Sequence, residues 1–81
     1  GKRMQFKIEN PDKEVLNIEA KLIQLPGLDG SFAVLENHAP LIATLKKGQV
    51  RIIDKNDKEH LLDIDGGIFG VAENLCHLLL L

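Results

Sequence analysis

Turn-forming residues interrupt this chain at intervals of roughly 8 to 12 residues, and this spacing constrains the fold more than any other feature. It leaves no room for a long helix, whereas a short strand fits between successive turns. The turns are rich in Gly, Pro, Asn and Asp, which favour tight bends. They lie at residues 10–12, 26–30, 36–40, 46–48, 54–58, 66–67 and 73–74. This pattern predicts an all-β fold, a small flattened β-sandwich or barrel of about 8 to 10 short strands, as a single domain over residues 1–81.

Apolar and polar residues alternate at the start of the chain. Met4, Phe6 and Ile8 are separated by Gln5 and Lys7, and a period of two is typical of a strand with one buried face. A second run then changes phase, with apolar residues at Leu16, Ile18, Ala20, Leu22, Ile23 and Leu25. A phase change within a strand predicts a bulge or a bend. Helical spacing also fits part of this segment, so a helix stays open as the alternative to the preferred strand.

The composition excludes several classes of protein. A chain of 81 residues with only 4% aromatic residues must build an aliphatic core. A chain of this size buries only about 60% of the surface that its unfolded state exposes, which favours a partner that covers it. The single cysteine excludes an internal disulfide. Ten basic and twelve acidic residues give a net charge of −2, which is too balanced for a nucleic-acid-binding protein held by phosphate contacts.

No group of residues has the spacing of a metal, cofactor or catalytic site. Cys76 and His77 are neighbours on a predicted strand and therefore point to opposite faces; we interpret Cys76 as a packing residue and His77 as a core or interface residue. We therefore predict no catalytic residue, no cofactor and no metal. One alternative is a lipoyl- or biotinyl-type carrier domain, because Lys55 lies at a predicted hairpin tip, where such domains carry their modified lysine. The residues around Lys55 do not match the usual setting of that lysine.

Four motifs together resemble a known family. They are Leu25-Pro26-Gly27-x-x-Gly30-Ser31-Phe32, Asn37-His38-Ala39-Pro40-Leu41, Leu45-x-x-Gly48-x-Val50-x-Ile52 and Gly66-Gly67. Their order and spacing resemble the N-terminal β-sandwich domain of the epsilon subunit of F-type ATP synthases, over about residues 4–75. Each motif also has a physical reason of its own, since glycine permits tight turns and proline stiffens an exposed corner.

The resemblance implies a non-catalytic adaptor. In that family the domain lies in the central stalk, which is part of the rotor, and it links the gamma subunit to the membrane-embedded ring of c subunits. It thereby couples proton flow to ATP synthesis. By position, the residues expected to contact gamma are Asn10, His38, Ala39, Pro40 and Ala43. Those expected to contact the c ring are Gly27, Leu28, Asp29, Gly30 and Ser31.

The resemblance also implies a location and marks several departures. The implied location is peripheral, on the cytoplasmic face of the bacterial inner membrane, with no nucleic-acid partner. Family members often carry an acidic residue where this chain has Ser31, which leaves Asp29 as the only carboxylate in that loop. Many relatives continue into a regulatory pair of helices; this sequence stops at Leu81, so we expect neither a helical hairpin nor ATP-sensitive inhibition.

The last strand also departs from the family pattern. His77 stands where an apolar residue is usual, and residues 78–81 do not alternate. The register of this strand therefore stays open, and an apolar strand at an open sheet edge would be an aggregation hazard. Residues 1–3, ahead of Met4, are interpreted as a remnant of expression.

Overall fold

Eight β-strands and no helix make up residues 3–81, the part of the chain that the computed structural model describes. The strands are β1 (Met4–Glu9), β2 (Glu14–Gly27), β3 (Gly30–Leu35), β4 (Leu41–Leu45), β5 (Gly48–Asp54), β6 (Glu59–Ile64), β7 (Gly67–Ala72) and β8 (Leu75–Leu80). The predicted all-β fold of eight to ten strands is confirmed. Across the described residues, no helix is long and apolar enough to cross a membrane. Gly1 and Lys2, two of the three residues interpreted as a remnant, lie outside this range.

The 14-residue strand β2 belongs to both halves of the molecule. Its first half pairs with β1, from Met4↔Ala20 onward, and its second half lies between β3 and β5. The register with β5 shifts between Ala20 and Leu22, at the phase change of the apolar pattern. This irregularity lets Ala20 and Ile23 both reach the core, where both are fully buried. The predicted bulge is therefore confirmed, and the helical alternative for this segment is wrong.

The strands form two layers that share β2. One layer has the order β1-β8-β7-β4, and the other contains β3, the second half of β2, β5 and β6. Strand β4 meets β2 at the pair Gly27↔Leu45, and β1 also pairs with β2, so β1, β8, β7, β4 and β2 close into a ring. The extents of 32 × 24 × 19 Å correspond to the predicted flattened shape.

The core lies between the layers and is mostly aliphatic, as the composition predicts. Two aromatic residues stand at its centre: Phe6 and Phe69 are fully buried and meet edge to face, with ring centroids 6.0 Å apart. Phe32 approaches Phe69 in the same manner at 6.1 Å. The remaining core residues are Met4, Ile8, Ala20, Ile23, Leu25, Val34, Leu45, Val50, Ile52, Ile64, Val71, Cys76 and Leu78.

Strand β8 is an interior strand, with β1 parallel on one side and β7 antiparallel on the other. Cys76 and Leu78 are buried, whereas Leu75, His77 and Leu79 are exposed, so the strand alternates despite its run of leucines. The aggregation hazard considered for an open apolar edge does not arise, because neighbouring strands satisfy the backbone of β8 on both sides. Of the two roles considered for His77, core or interface, the core role is wrong because the side chain is exposed, while the interpretation of Cys76 as a packing residue is confirmed.

Candidate functional site

The corner formed by residues 38–40 is fixed to the turn between β7 and β8. Asn37 takes a positive φ of 66°, which asparagine tolerates better than most residues. Its amide N–H donates to Asn74 Oδ1 at 2.6 Å, and Asn74 Nδ2 donates to Asn37 Oδ1 at 3.0 Å. The His38 ring donates from Nδ1 to the Ala39 carbonyl oxygen at 2.6 Å. Because that bond uses the ring donor, Nε2 is left as an acceptor for a partner.

Asn10 and Ala43 lie apart from this corner. Asn10 holds a tight turn at the far end of β1, where its Oδ1 accepts from the backbone of Asp12 and Lys13 at 2.8 and 2.9 Å. The corner lies at the other end of the strands, and five strand residues at about 3.3 Å each place the two ends ~16 Å apart. Ala43 is half-buried and faces inward on β4. The five residues predicted to contact gamma therefore do not form one continuous patch.

Between Asn10 and the corner lies a surface that the sequence patterns did not reveal. Register pairs place the outward side chains of β4, β7 and β8 side by side. We call this surface the apolar face; its members are Ile42, Thr44, Ile68, Gly70, Ala72, Leu75, His77 and Leu79. Its large aliphatic side chains are well exposed, from 47% at Leu79 to 81% at Ile42. A shallow groove runs over Gly70 between Ile42 and Leu75.

A usable signal for the apolar face was present in the sequence. Strands β4, β7 and β8 read as almost wholly apolar runs, interrupted by Thr44 and His77, and such runs are typical of strands covered on both faces. Only one face of each run meets the core of this chain. The excess of apolar residues in these three strands therefore marks an exposed apolar surface of the kind found at interaction sites.

An ionisable cluster borders the apolar face on the side of β1. His77 Nε2 lies 2.8 Å from Glu9 Oε1, and Lys7 Nζ lies 3.8 Å from Glu9 Oε2. Lys7 and His77 are register partners, as are Glu9 and Leu79. The cluster therefore continues the apolar face toward Asn10.

The predicted c-ring loop is a two-residue hairpin. Only Leu28 and Asp29 lie outside the strands, because β2 continues through Pro26 and Gly27 and pairs with β3 up to Gly27↔Gly30. The prediction of a turn over all of residues 26–30 was too wide. The Pro26 carbonyl accepts from the backbone of Lys46 at 2.9 Å, so proline fits a strand position that needs only its acceptor.

This hairpin projects three exposed side chains at one end of the sandwich. Leu28 is 61% exposed, Asp29 and Ser31 are exposed as well, and Gly30 takes a φ of 136° that suits glycine. The Leu28 amide donates to the Thr44 carbonyl at 2.9 Å, which fixes the hairpin against the end of β4. Among the described residues, no ion pair involves Asp29. The five residues predicted to contact the c ring are thus brought together.

The other polar groups have structural roles. Asp54 caps the β5–β6 hairpin, accepting from the backbone of Asn56 and Lys58, and lies 2.8 Å from His60 Nε2. The hydrogen bond with His60 is the main cause that lowers the pKa of Asp54. Burial raises the pKa of the Cys76 thiol to about 11, which keeps it a poor nucleophile at neutral pH. Residues 3–81 contain no cluster of side chains with the makings of a metal site.

Comparisons with known proteins identify the family. The family model described as "ATP synthase, Delta/Epsilon chain, beta-sandwich domain" matches residues 3–80. The ATP synthase epsilon chain of Chlorobium limicola is 38% identical over 78 residues, covering 96% of this chain and 89% of that one. The epsilon chain of Dichelobacter nodosus is 40% identical over 67 residues, covering 83% of this chain but 47% of the longer relative.

Solved structures share the fold. A chain of the Euglena gracilis mitochondrial ATP synthase (OSCP/F1/c-ring) superposes with a TM-score of 0.91 at 18% identity, over 96% of this chain and 50% of that chain. A chain of the Tetrahymena thermophila mitochondrial ATP synthase (central stalk/c-ring) gives a TM-score of 0.81 at 21% identity, over 99% and 64%. The alternative of a carrier domain modified at Lys55 is not supported, because the chain matches a different family.

Proposed function

The chain belongs to the family of ATP synthase delta/epsilon chain β-sandwich domains, and from this premise we propose that it is a non-catalytic subunit of the central stalk of an F-type ATP synthase. In this role it binds the gamma subunit and the ring of c subunits and couples proton flow to ATP synthesis. The family match is the observation that carries the proposal. It also supports a peripheral position in a membrane-associated complex, which we place on the cytoplasmic face of the bacterial inner membrane.

We assign gamma to the apolar face. Its exposed aliphatic side chains favour a protein partner, because isolated domains rarely leave a contiguous apolar surface in water. The residues proposed to contact gamma border this face: Asn10 lies beyond Leu79 at one end, and Pro40 lines the groove with Ile42 at the other. Ala43 faces inward and contributes through the position of β4 rather than by direct contact.

Binding to the purified gamma subunit tests this assignment. Ala39 is exposed at the corner, so Ala39→Glu should leave the melting temperature nearly unchanged and weaken gamma binding about tenfold or more, since a charge then enters the contact. Asn56→Glu, at the tip of the β5–β6 hairpin, is the matched control and should bind normally. Equal affinities for the two variants, or no binding of the wild-type chain, would contradict the assignment.

We assign the c ring to the hairpin of residues 27–31, with Asp29 facing a basic group of the ring. An exposed ion pair is worth only about 0.2 to 1 kcal/mol, so charge reversal is a better probe than alanine. Asp29→Lys should fold, bind gamma normally and lower proton-coupled ATP synthesis in reconstituted membranes, with a smaller defect at higher ionic strength.

Asp57→Lys provides the control for this experiment. Strand β5 runs away from the 27–31 hairpin, from Gln24↔Arg51 toward Ala20↔Asp54, so Asp57 lies near the opposite end of the sandwich. This variant changes charge equally and should leave coupling intact, although it loses the exposed pair with Lys21. Unchanged coupling of Asp29→Lys at low salt would remove Asp29 from the proposed contact.

A further inference from the structure

We propose that docking of gamma on the apolar face releases one proton from His77, so that the complex contains the neutral imidazole and forms more tightly as the pH rises. This inference rests on the proposed function and adds a regulation to the same surface. It concerns a residue that this chain places among aliphatic side chains.

His77 is the one ionisable side chain within the apolar face. Leu75 and Leu79 precede and follow it on the outward side of β8, and Gly70 is its register partner on β7. Its side chain is 45% exposed, so it can exchange protons with water while the face is free. A partner that covers Leu75 and Leu79 must also cover His77.

The charged groups that face His77 all come from the β1 side. Strand β1 supplies Glu9 and Lys7 as its direct neighbours, whereas Glu14 and Glu19 of β2 lie one strand further away, on the side of β1 remote from β8. The outward side chains of β7 and β4 bring no titratable group; they are Ile68, Gly70, Ala72, Ile42 and Thr44. His77 therefore lies at the boundary between a charged strand and an apolar surface.

Covering this boundary favours the neutral imidazole. With neutral His77, the cluster of Lys7, Glu9 and His77 has no net charge, whereas with imidazolium it carries one positive charge. Removing water from a cluster that carries a net charge costs more than removing it from one whose charges balance. Histidine side chains ordinarily change charge between about pH 5 and 8. In this range, the protonated chain and gamma therefore react to give the complex and one free proton.

The hydrogen bond with Glu9 also defines what the partner offers. If Nε2–H donates to the Glu9 carboxylate, the neutral ring presents Nδ1 as an acceptor. No protein group among the described residues bonds to Nδ1. The partner surface therefore presents a neutral donor, such as a backbone amide or a hydroxyl, opposite His77.

Calorimetric titration of gamma into the intact chain tests the proposal. Affinity should rise about tenfold between about pH 5.5 and 7.5, as expected for a histidine side chain that must lose its proton on docking. Titrations in two buffers with different ionisation enthalpies should report the release of up to about one proton near the lower pH. In His77→Gln, both the pH dependence and the proton release should disappear, while the melting temperature stays close to that of the wild type.

His60→Gln is the matched control, because His60 lies on β6 and pairs with Asp54, away from the apolar face. This variant should keep the pH dependence of the wild type. The proposal is overturned by pH-independent binding, by tighter binding at lower pH, or by a pH dependence that persists in His77→Gln. Absence of gamma binding at every pH would overturn the proposed docking itself, and the inference with it, so the two failures are distinguishable.

Discussion

The apolar face and the outer surface of the other layer differ in how their side chains are satisfied. On the second surface, which we call the paired face, the outward residues of β2, β5 and β6 bind one another. Arg51 lies at its centre: Nε is 2.5 Å from Glu59 Oε2, and Nη1 donates to Gln24 Oε1 at 3.1 Å. The apolar face has no comparable bonds across β4, β7 and β8 among the described residues, and its ionisable pair lies at the border with β1.

The paired face is not free of apolar side chains. Leu35 and Leu61 are each 54% exposed, but Leu61 is the register partner of Arg51 and so lies beside a charged group. Single exposed leucines are normal on protein surfaces, whereas a contiguous apolar surface marks an interaction site. The difference teaches that the two layers suit different surroundings: the paired face satisfies its polar groups on its own, whereas the apolar face has the character of the interaction surface proposed above.

The largest expected effect comes from placing a carboxylate on the apolar face. Ile42 is 81% exposed, so Ile42→Asp removes little burial within the chain itself. At a docked contact, however, it leaves an unpaired charge out of water, and we expect gamma binding to weaken by roughly 30-fold or more, as for an interface hot spot of about 2 kcal/mol or more. Calorimetric titration with gamma measures this change.

Leu61→Asp is the matched variant on the paired face. Leu61 is exposed and lies opposite Arg51, so the new carboxylate meets an existing positive charge, and gamma binding should stay within about twofold of the wild type. Equal losses for the two variants would mean that the two faces do not differ in the way proposed here.

Two glycines of β7 sharpen the comparison, because one faces the core and the other faces outward. A Cβ at Gly67 would lie 2.5 Å from the Leu79 carbonyl oxygen, whereas at Gly70 the nearest atom is the Leu41 carbonyl oxygen at 3.9 Å. We expect Gly67→Ala to lower the free energy of unfolding by about 1 to 3 kcal/mol. Gly70→Ala should leave it unchanged or raise it by about 0.4 to 1 kcal/mol.

Urea denaturation of both variants measures this difference. A substantial loss of stability in Gly70→Ala would indicate that the apolar face is packed within the chain rather than open to a partner. An unchanged free energy of unfolding in Gly67→Ala would indicate that strands β7 and β8 move apart more readily than their close approach implies.

The sequence predicted more of the fold than of the surface. The change of phase at Leu22 and Ile23 located the irregularity in β2, because alternation directly reports which side chains face the core. Alternation could not predict the register of residues 78–81, because four consecutive leucines show none. Only the two neighbouring strands fix the register of these residues. The apolar face escaped detection for a related reason. Nothing within Leu41-Ile42-Ala43 distinguishes the side facing the core from the side facing a partner.

Of the two groups of contact residues assigned by resemblance, the structure brings one together and separates the other. The hairpin residues around Asp29 come together because two strands bring them there within a few residues of one another. Asn10 and His38 are far apart in sequence, and their separation at opposite ends of the strands depends on the whole topology. Proximity of that kind cannot be deduced from local patterns.

A smaller effect is expected from Asp54, which stabilises the β5–β6 hairpin in the paired half of the molecule. Its hydrogen bond with His60 lowers its pKa, so the stabilisation is fully present above the unfolded value of about 3.9 and is lost as the pH falls through the lower folded value. Asp54→Asn keeps an oxygen for the backbone bonds to Asn56 and Lys58 but cannot ionise. The wild type should therefore be more stable than Asp54→Asn near neutral pH, and the difference should vanish in acid.

Urea denaturation at several pH values between about 7 and 2 measures this difference. Binding of gamma near neutral pH should be the same for the two proteins, because Asp54 is not part of the apolar face. A stability difference that grows on acidification would contradict the role assigned to the ionised carboxylate.

The smallest effect is expected at Arg51, although it makes the most bonds on the paired face. The side chains of Arg51 and Glu59 are 40% and 46% exposed, so water and salt screen their attraction, and exposed pairs contribute about 0.2 to 1 kcal/mol. A double-mutant cycle of Arg51→Ala and Glu59→Ala, measured by urea denaturation, should give a coupling energy in this range that decreases with added salt. Gamma should bind all three variants like the wild type. A coupling energy near zero would mean that the paired face is an ordinary polar surface. Weaker gamma binding in Arg51→Ala would show that a partner covers this face as well, and the contrast between the two layers would then be lost.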